Sequence, residues 1–159
     1  MNMNKSKVKT YGISIAIALG VGVLSALLTS MGMERYTLAE KPALTPPDIV
    51  FPIVWTILFT LMGISSARIW IASDKTQKNG SLLIYMLQLA ANFIWSILFF
   101  NLQAYGFAFL WIILLWVLIL LMIISFYRVD KIAAWLQVPY LLWVSFAAYL
   151  NYMIWMMNR

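Results

Sequence analysis

Five long apolar runs separated by polar breaks organise the chain, at 11–31, 49–71, 82–100, 107–126 and 133–157. A bilayer core about 30 Å thick takes roughly 20 residues of helix, so each run is long enough to cross it. The pattern predicts an all-α, polytopic membrane protein: one domain over 1–159, built as a bundle of five transmembrane helices. The first ten residues, MNMNKSKVKT, followed by an apolar stretch, have the outline of a signal peptide. The run is long for one and no A-x-A-like site closes it, so it is read as helix one.

The breaks are unequal. Those at 101–106 and 127–132 are short enough to make their flanking helices antiparallel neighbours. The break at 32–48, GMERYTLAEKPALTPPD, carries three prolines, an aromatic residue and mixed charge. Long connections in compact folds tend to be lids or binding elements, so this one is expected to cover a site. Its end, Thr45-Pro46-Pro47-Asp48, has the form of a helix start with Thr45 as the N-cap.

Polar residues inside the runs mark the faces that turn inward, because an amide in hydrocarbon must find a partner. In helix three, Gln88, Asn92 and Ser96 recur every four residues and share a face with Trp95 and Phe99. In helix five, Trp143, Ala147 and Asn151 repeat that spacing one turn after Pro139, and helix two offers Pro52, Trp55, Phe59 and Gly63. Two readings stand side by side for Gln88 and Asn92: interhelical glue, worth about 0.6–2 kcal/mol each, or polar contacts in a pocket. Pro52 and Pro139 either bend their helices around a space or, for Pro52, sit harmlessly in a first turn. Helix one has small-residue stripes, Gly12, Ala16, Gly20 and Ala18, Gly22, Ala26, which locate close helix packing within the bundle or across a dimer.

Depth converts these faces into a place. At about 1.5 Å per residue, Trp55, Trp95, Asn92, Asn151 and Ala147 fall in the same half of the bilayer as the long loop, with Trp143 deeper, as a floor. An aromatic pocket with a few amides beneath a lid is the usual recipe for a small-molecule site. The remaining tryptophans weigh less: Trp70, Trp135, Trp155 and Trp111 are read as interfacial anchors, and Trp116 as facing lipid or a neighbour.

Composition narrows the chemistry. Of 159 residues 64% are hydrophobic and 10% charged, too few charges to clothe a water-facing surface. The absence of Cys and His removes disulfides, thiol nucleophiles, imidazole or thiolate metal sites and histidine acid-base catalysis; no metal site and no cofactor is expected. None of the five acidic residues lies in a long apolar run, which argues against a carboxylate proton relay. Eight basic residues, Lys5, Lys7, Lys9, Arg68, Lys75, Lys78, Arg128 and Lys131, fall on one side against Arg35, Lys41 and Arg159 on the other. The side with eight also holds Asp74 and Asp130. The positive-inside rule then places the N-terminus inside and the C-terminus outside, which suits a bacterial cytoplasmic membrane. Anionic lipid is partner enough for that basic face, and nucleic acid is not implied. Arg68, near the end of its run, needs no function beyond reaching the interface.

Three blocks resemble the tryptophan-rich sensory protein/translocator protein family, also called the peripheral-type benzodiazepine receptor family. They are YTLAEKPALTPPDIVFPIVWTILFTLMG at 36–63, QLAANFIWSILFF at 88–100 and PYLLWVSFAAYLN at 139–151. The departures are Arg35 for a loop tryptophan, Leu44 and Ile49 at two further aromatic positions, Phe59 for a tyrosine, and Pro52 one residue early. The family's C-terminal sterol pattern fails at Tyr152 and Arg159.

The resemblance implies a five-helix bundle, commonly a homodimer, with helix order 1-2-5-4-3. Its pocket would bind protoporphyrin IX or a related tetrapyrrole, and in some members sterols or benzodiazepine-type and isoquinoline carboxamide drugs, in tetrapyrrole homeostasis and stress response. The positions implied to bind ligand are Tyr36, Trp55, Phe59, Asn92, Trp95, Trp143, Phe146, Ala147 and Asn151. A flat macrocycle suits indole and phenyl faces, and the absence of His and Cys favours the metal-free porphyrin over haem. The alternative is enzymatic: light-dependent oxidative breakdown of the bound porphyrin, with Trp55 and Trp143 as the catalytic residues.

Overall fold

The computed structural model describes residues 4–72 and 75–159; Asp74, counted above with the basic side, lies outside them. The helices are α1 (Lys5–Leu38), α2 (Val50–Ile71), α3 (Lys75–Ser96) continued by a π-helical turn (Ile97–Asn101), α4 (Tyr105–Val129), α5 (Lys131–Trp135) and α6 (Val138–Met157). They make five segments long and apolar enough to cross a membrane, α5 and α6 together forming the fifth. Among the described residues there is no strand. The packing partners run α1 with α2 and α3, α3 with α4, α4 with α5 and α6, and α2 with α5, and α2 also meets α3 across the middle of the bundle. That circuit is the 1-2-5-4-3 order.

The spans stand where the apolar runs are, but their ends differ from the sequence reading. Helix α1 continues to Leu38 instead of stopping at Met31, since no proline intervenes before Pro42. The expected 32–48 lid therefore shrinks to 39–49, and Tyr36 is a helical residue. Gly32 belongs inside this helix for a steric reason: a Cβ there would lie 2.5 Å from the Phe100 carbonyl oxygen, where α1 meets the π turn. Thr45 is not an N-cap. Helix α2 begins at Val50 with no side-chain cap, and the Thr45 hydroxyl is buried without a partner among the described residues. Pro47 forces the residue before it out of helical geometry, so the helix starts only after the proline pair.

Pro52 sits in the first turn of α2, where its missing N–H costs nothing. Pro139 acts differently. Its absent N–H would have bonded the Trp135 carbonyl, and the fifth span breaks there into α5 and α6. The break is tied to α2: Gln137 Nε2 donates to Ser65 Oγ (2.7 Å) and the Leu61 carbonyl (3.2 Å), and Ser65 Oγ donates to the Ala133 carbonyl (2.9 Å). Next to it, Arg68 forms a two-pronged ion pair with Asp130, Nε to Oδ1 at 3.2 Å and Nη2 to Oδ2 at 2.8 Å. This arginine joins two spans instead of merely reaching the interface.

The small-residue stripes divide. Ala18 is fully buried and a Cβ on Gly22 would meet the Phe59 ring at 2.7 Å, whereas Gly12 and Gly20 have nothing within 4 Å of theirs among the described residues. Close helix approach occurs instead at Gly63 of α2, where a Cβ would lie 2.5 Å from Ile15 Cα. Trp70 and Trp135 are exposed at span ends, as belt residues are. Trp111 is not an anchor: its indole donates to the Ala91 carbonyl of α3 at 2.8 Å.

Candidate functional site

A cavity of about 300 Å³ lies between α1, α2, α3 and α6 under the 39–49 segment. Each helix supplies one face. From α1 come Gly22, Ser25, Ala26, Thr29, Met33 and Tyr36; from α2 Phe51, Pro52, Trp55 and Phe59. From α3 and its π turn come Asn92, Trp95, Ser96, Phe99 and Phe100; from α6 Trp143, Ala147, Leu150, Asn151 and Ile154. Residues 92, 95, 96, 99 and 100 follow the i, i+3, i+4, i+7, i+8 repeat, the signature of one helix face.

Most of the wall is aromatic. Trp95 stacks on Phe99 at 5.1 Å between centroids, Phe99 meets Phe100 edge-on at 4.9 Å, and Tyr36 touches both phenylalanines. Across the cavity, Trp55 lies 5.6 Å from Phe59 and 6.2 Å from Tyr140, and Trp143 meets Phe51 at 5.8 Å. Aromatic pairs of this kind add about 0.5–1.5 kcal/mol each beyond their burial and hold the rings in place.

The amides are committed to the protein. Tyr140, fully buried, accepts from Asn92 Nδ2 at 2.8 Å and donates to Gln88 Oε1 at 2.8 Å. Trp95 Nε1 donates to Asn151 Oδ1 at 3.0 Å, and Asn151 Nδ2 donates to the Tyr105 carbonyl at 2.8 Å. Of the two readings of Gln88 and Asn92, glue is what the geometry displays, although Asn92 also borders the cavity. The Tyr140–Asn92–Gln88 chain lies behind the wall, where Asn92 and Trp55 border the cavity. Trp143 stands level with the start of α2 and so is a wall and not the floor. It meets Phe51, in the first turn of α2, because α2 starts lower than α1 and α6 end, so equal counting from span ends misplaces it.

The roof is pinned at two places. Asn158, just past α6, accepts from the Glu40 N–H (3.0 Å) and donates to the Glu40 carbonyl (2.9 Å), pairing with both backbone groups of one residue. Lys41 Nζ lies 4.3 Å from the centroid of the Tyr36 ring. At the lip Asp48 is the charged side chain that borders the cavity.

Eight of the nine positions singled out from the sequence border this space: Tyr36, Trp55, Phe59, Asn92, Trp95, Trp143, Ala147 and Asn151. Phe146 does not. It lies on the outer side of Trp143, in a groove between α2 and α6, since it is three residues on and turned away from Ala147. Sequence reasoning missed the α1 wall. Its signal was present: Ala18, Gly22, Ser25, Thr29, Gly32 and Tyr36 alternate at spacings of four and three, placing the three hydroxyls of Ser25, Thr29 and Tyr36 on one face of the helix.

The arrangement can hold an apolar, flat-faced molecule, with orientation supplied by a few polar atoms. The TspO/MBR family model matches residues 14–156. The tryptophan-rich protein TspO of Chlorobaculum tepidum is 40% identical, over 98% of this chain and 99% of that one. The human translocator protein is 31% identical, over 96% and 91%, and protein CrtK of Rhodobacter capsulatus 33%, over 77% and 78%. With five membrane-spanning segments and a match along nearly its whole length, the chain belongs to the TspO/MBR family.

Proposed function

We propose that this membrane protein is a receptor for a porphyrin, protoporphyrin IX or a related tetrapyrrole, held in the cavity beneath the 39–49 roof and serving tetrapyrrole homeostasis. Sterols and benzodiazepine-type drugs are the other ligands to which such a wall is suited. The observation that carries the reading is the convergence of Tyr36, Trp55, Trp95, Phe99 and Trp143 from four spans onto one space. Ring faces stack on a macrocycle without needing a metal ligand, and the chain has neither His nor Cys to offer one. At about 300 Å³ the space is at the small end of ligand sites, so a tetrapyrrole has to displace side chains on entry.

We read the chain as oriented with its N-terminus inside and its roof outside, by the balance of basic residues. We read it also as a homodimer. The Gly12, Ala16, Gly20 stripe, which the chain's own helices leave uncovered, lets a second copy approach closely.

The test is titration of the reconstituted protein with protoporphyrin IX, followed by tryptophan quenching. Saturable binding is expected, weakened about three- to tenfold by Trp55→Ala and by Trp143→Ala. Affinity unchanged in both variants removes the cavity as the porphyrin site.

A further inference from the structure

The internal cavity and a groove on the outer surface of the bundle meet at one side chain. The groove, about 430 Å³, runs between α2 and α6 and is walled by Val54, Ile57, Leu58, Pro139, Leu142 and Phe146. Ile57 and Leu142 are more than half exposed, on a surface that in a membrane faces acyl chains. Trp143 borders the groove from within and the cavity from without. The α2 and α6 backbones stay apart along most of their length, so side chains alone fill the seam between them.

Trp143 is also loosely held. Its indole N–H is buried yet has no hydrogen-bond partner among the described residues, whereas Trp95, Trp111 and Trp116 each donate one at 2.8–3.0 Å. Ring contacts with Phe51 and Phe146, at 5.8 and 5.7 Å, keep it in place. Turning this ring breaks no hydrogen bond. The roof, by contrast, is fastened to α6 through both backbone groups of Glu40.

We propose that ligands reach the cavity sideways from the bilayer, through the α2/α6 seam, with Trp143 as the gate and the outer groove as an antechamber for a flat apolar molecule dissolved among the acyl chains. The proposal rests on the cavity being the ligand site and adds the route into it. A route through the lipid suits a ligand of that class, since it never has to cross water or lift the roof.

The absence of cysteine from the chain provides a test independent of porphyrin. Ala147, on the cavity wall, is replaced by Cys, and the reconstituted protein is exposed to pyrene maleimide dissolved in phosphatidylcholine vesicles. Leu142→Trp and, from the opposite wall, Ile57→Trp fill the groove at exposed positions where folding is not at stake. Each should slow labelling about tenfold, while Asn158→Ala, which unfastens the roof, should leave the rate as it was. Labelling that is indifferent to both groove variants, or that Asn158→Ala accelerates, overturns the lateral route. Repeating the series with protoporphyrin IX separates the two readings: failure of porphyrin to bind, with labelling still slowed by groove filling, removes the porphyrin and leaves the gate.

Discussion

Tyr140 is the residue that holds the Asn92 side of the cavity wall in place. Its hydroxyl is the link between the Asn92 amide and the Gln88 carbonyl oxygen, and all three side chains are buried. Removing that oxygen orphans one donor and one acceptor in a dry interior, which costs about 1–3 kcal/mol. Tyr140→Phe should accordingly lower thermal stability in detergent, while Tyr127→Phe, half exposed, stays within about 0.5 kcal/mol of the parent protein. Equal melting of the two variants would show that the network contributes nothing. At this scale the sequence was informative about identity and weak about partnership. Spacings of three and four residues placed Asn92, Trp95, Ala147 and Asn151 on inward faces. It could not say that Trp95 would bond Asn151, or that Tyr140, hidden in a run of aromatics, would connect two amides from another span. Such pairings depend on the relative heights of helices, which periodicity leaves open.

Helix ends and breaks decide how the site is roofed. The Asn158 clasp joins α6 to Glu40 through two hydrogen bonds, and no other side-chain bond to the 39–49 backbone stands among the described residues. Asn158→Ala should raise amide exchange across residues 39–49 severalfold while exchange in the core of α4 stays slow; an unchanged roof would show that the clasp is dispensable.

At the opposite end of the bundle, Asp130 both caps α5, accepting from the Ala133 N–H at 2.8 Å, and pairs with Arg68. Burial alone would raise the carboxyl's pKa. The hydrogen bond from Arg68 and those from the Ala133 and Ile132 backbone outweigh burial and hold it below the ordinary 3.8. A carboxyl depressed in the folded state adds stability above its unfolded value and loses it as pH falls through the folded one. Melting temperature should therefore drop as pH is taken below about 4, and Asp130→Asn should flatten that part of the profile. A drop of the same size in the variant would assign the acid sensitivity elsewhere. Five spans were legible as apolar runs. Their ends were not: α1 outlasts its apolar run as far as Leu38 and α3 begins at Lys75, because helices project past the hydrocarbon wherever no proline stops them.

At the scale of the whole molecule, five crossings put the two ends of the bundle on opposite faces of the bilayer, and the ends differ in charge. Lys9, Lys78, Arg128 and Lys131 fall at the same ends of their helices as the Arg68–Asp130 pair, while the roof end carries Arg35, Lys41 and Arg159 together with Glu34, Glu40 and Asp48. Eight bases against three should hold the first end in the cytoplasm, because translocating each extra cation is opposed by the membrane potential and by anionic lipid on the inner leaflet. Roof and C-terminus are fastened together by Asn158, so one measurement fixes both. In a chain without cysteine, Lys5→Cys and Leu44→Cys each introduce a unique thiol at an exposed position. In intact bacterial cells a membrane-impermeant maleimide should label the thiol at 44 and spare the one at 5 until the membrane is opened. The reverse pattern would turn the roof toward the cytoplasm, whereas the α2/α6 seam, which opens onto lipid, would serve either orientation.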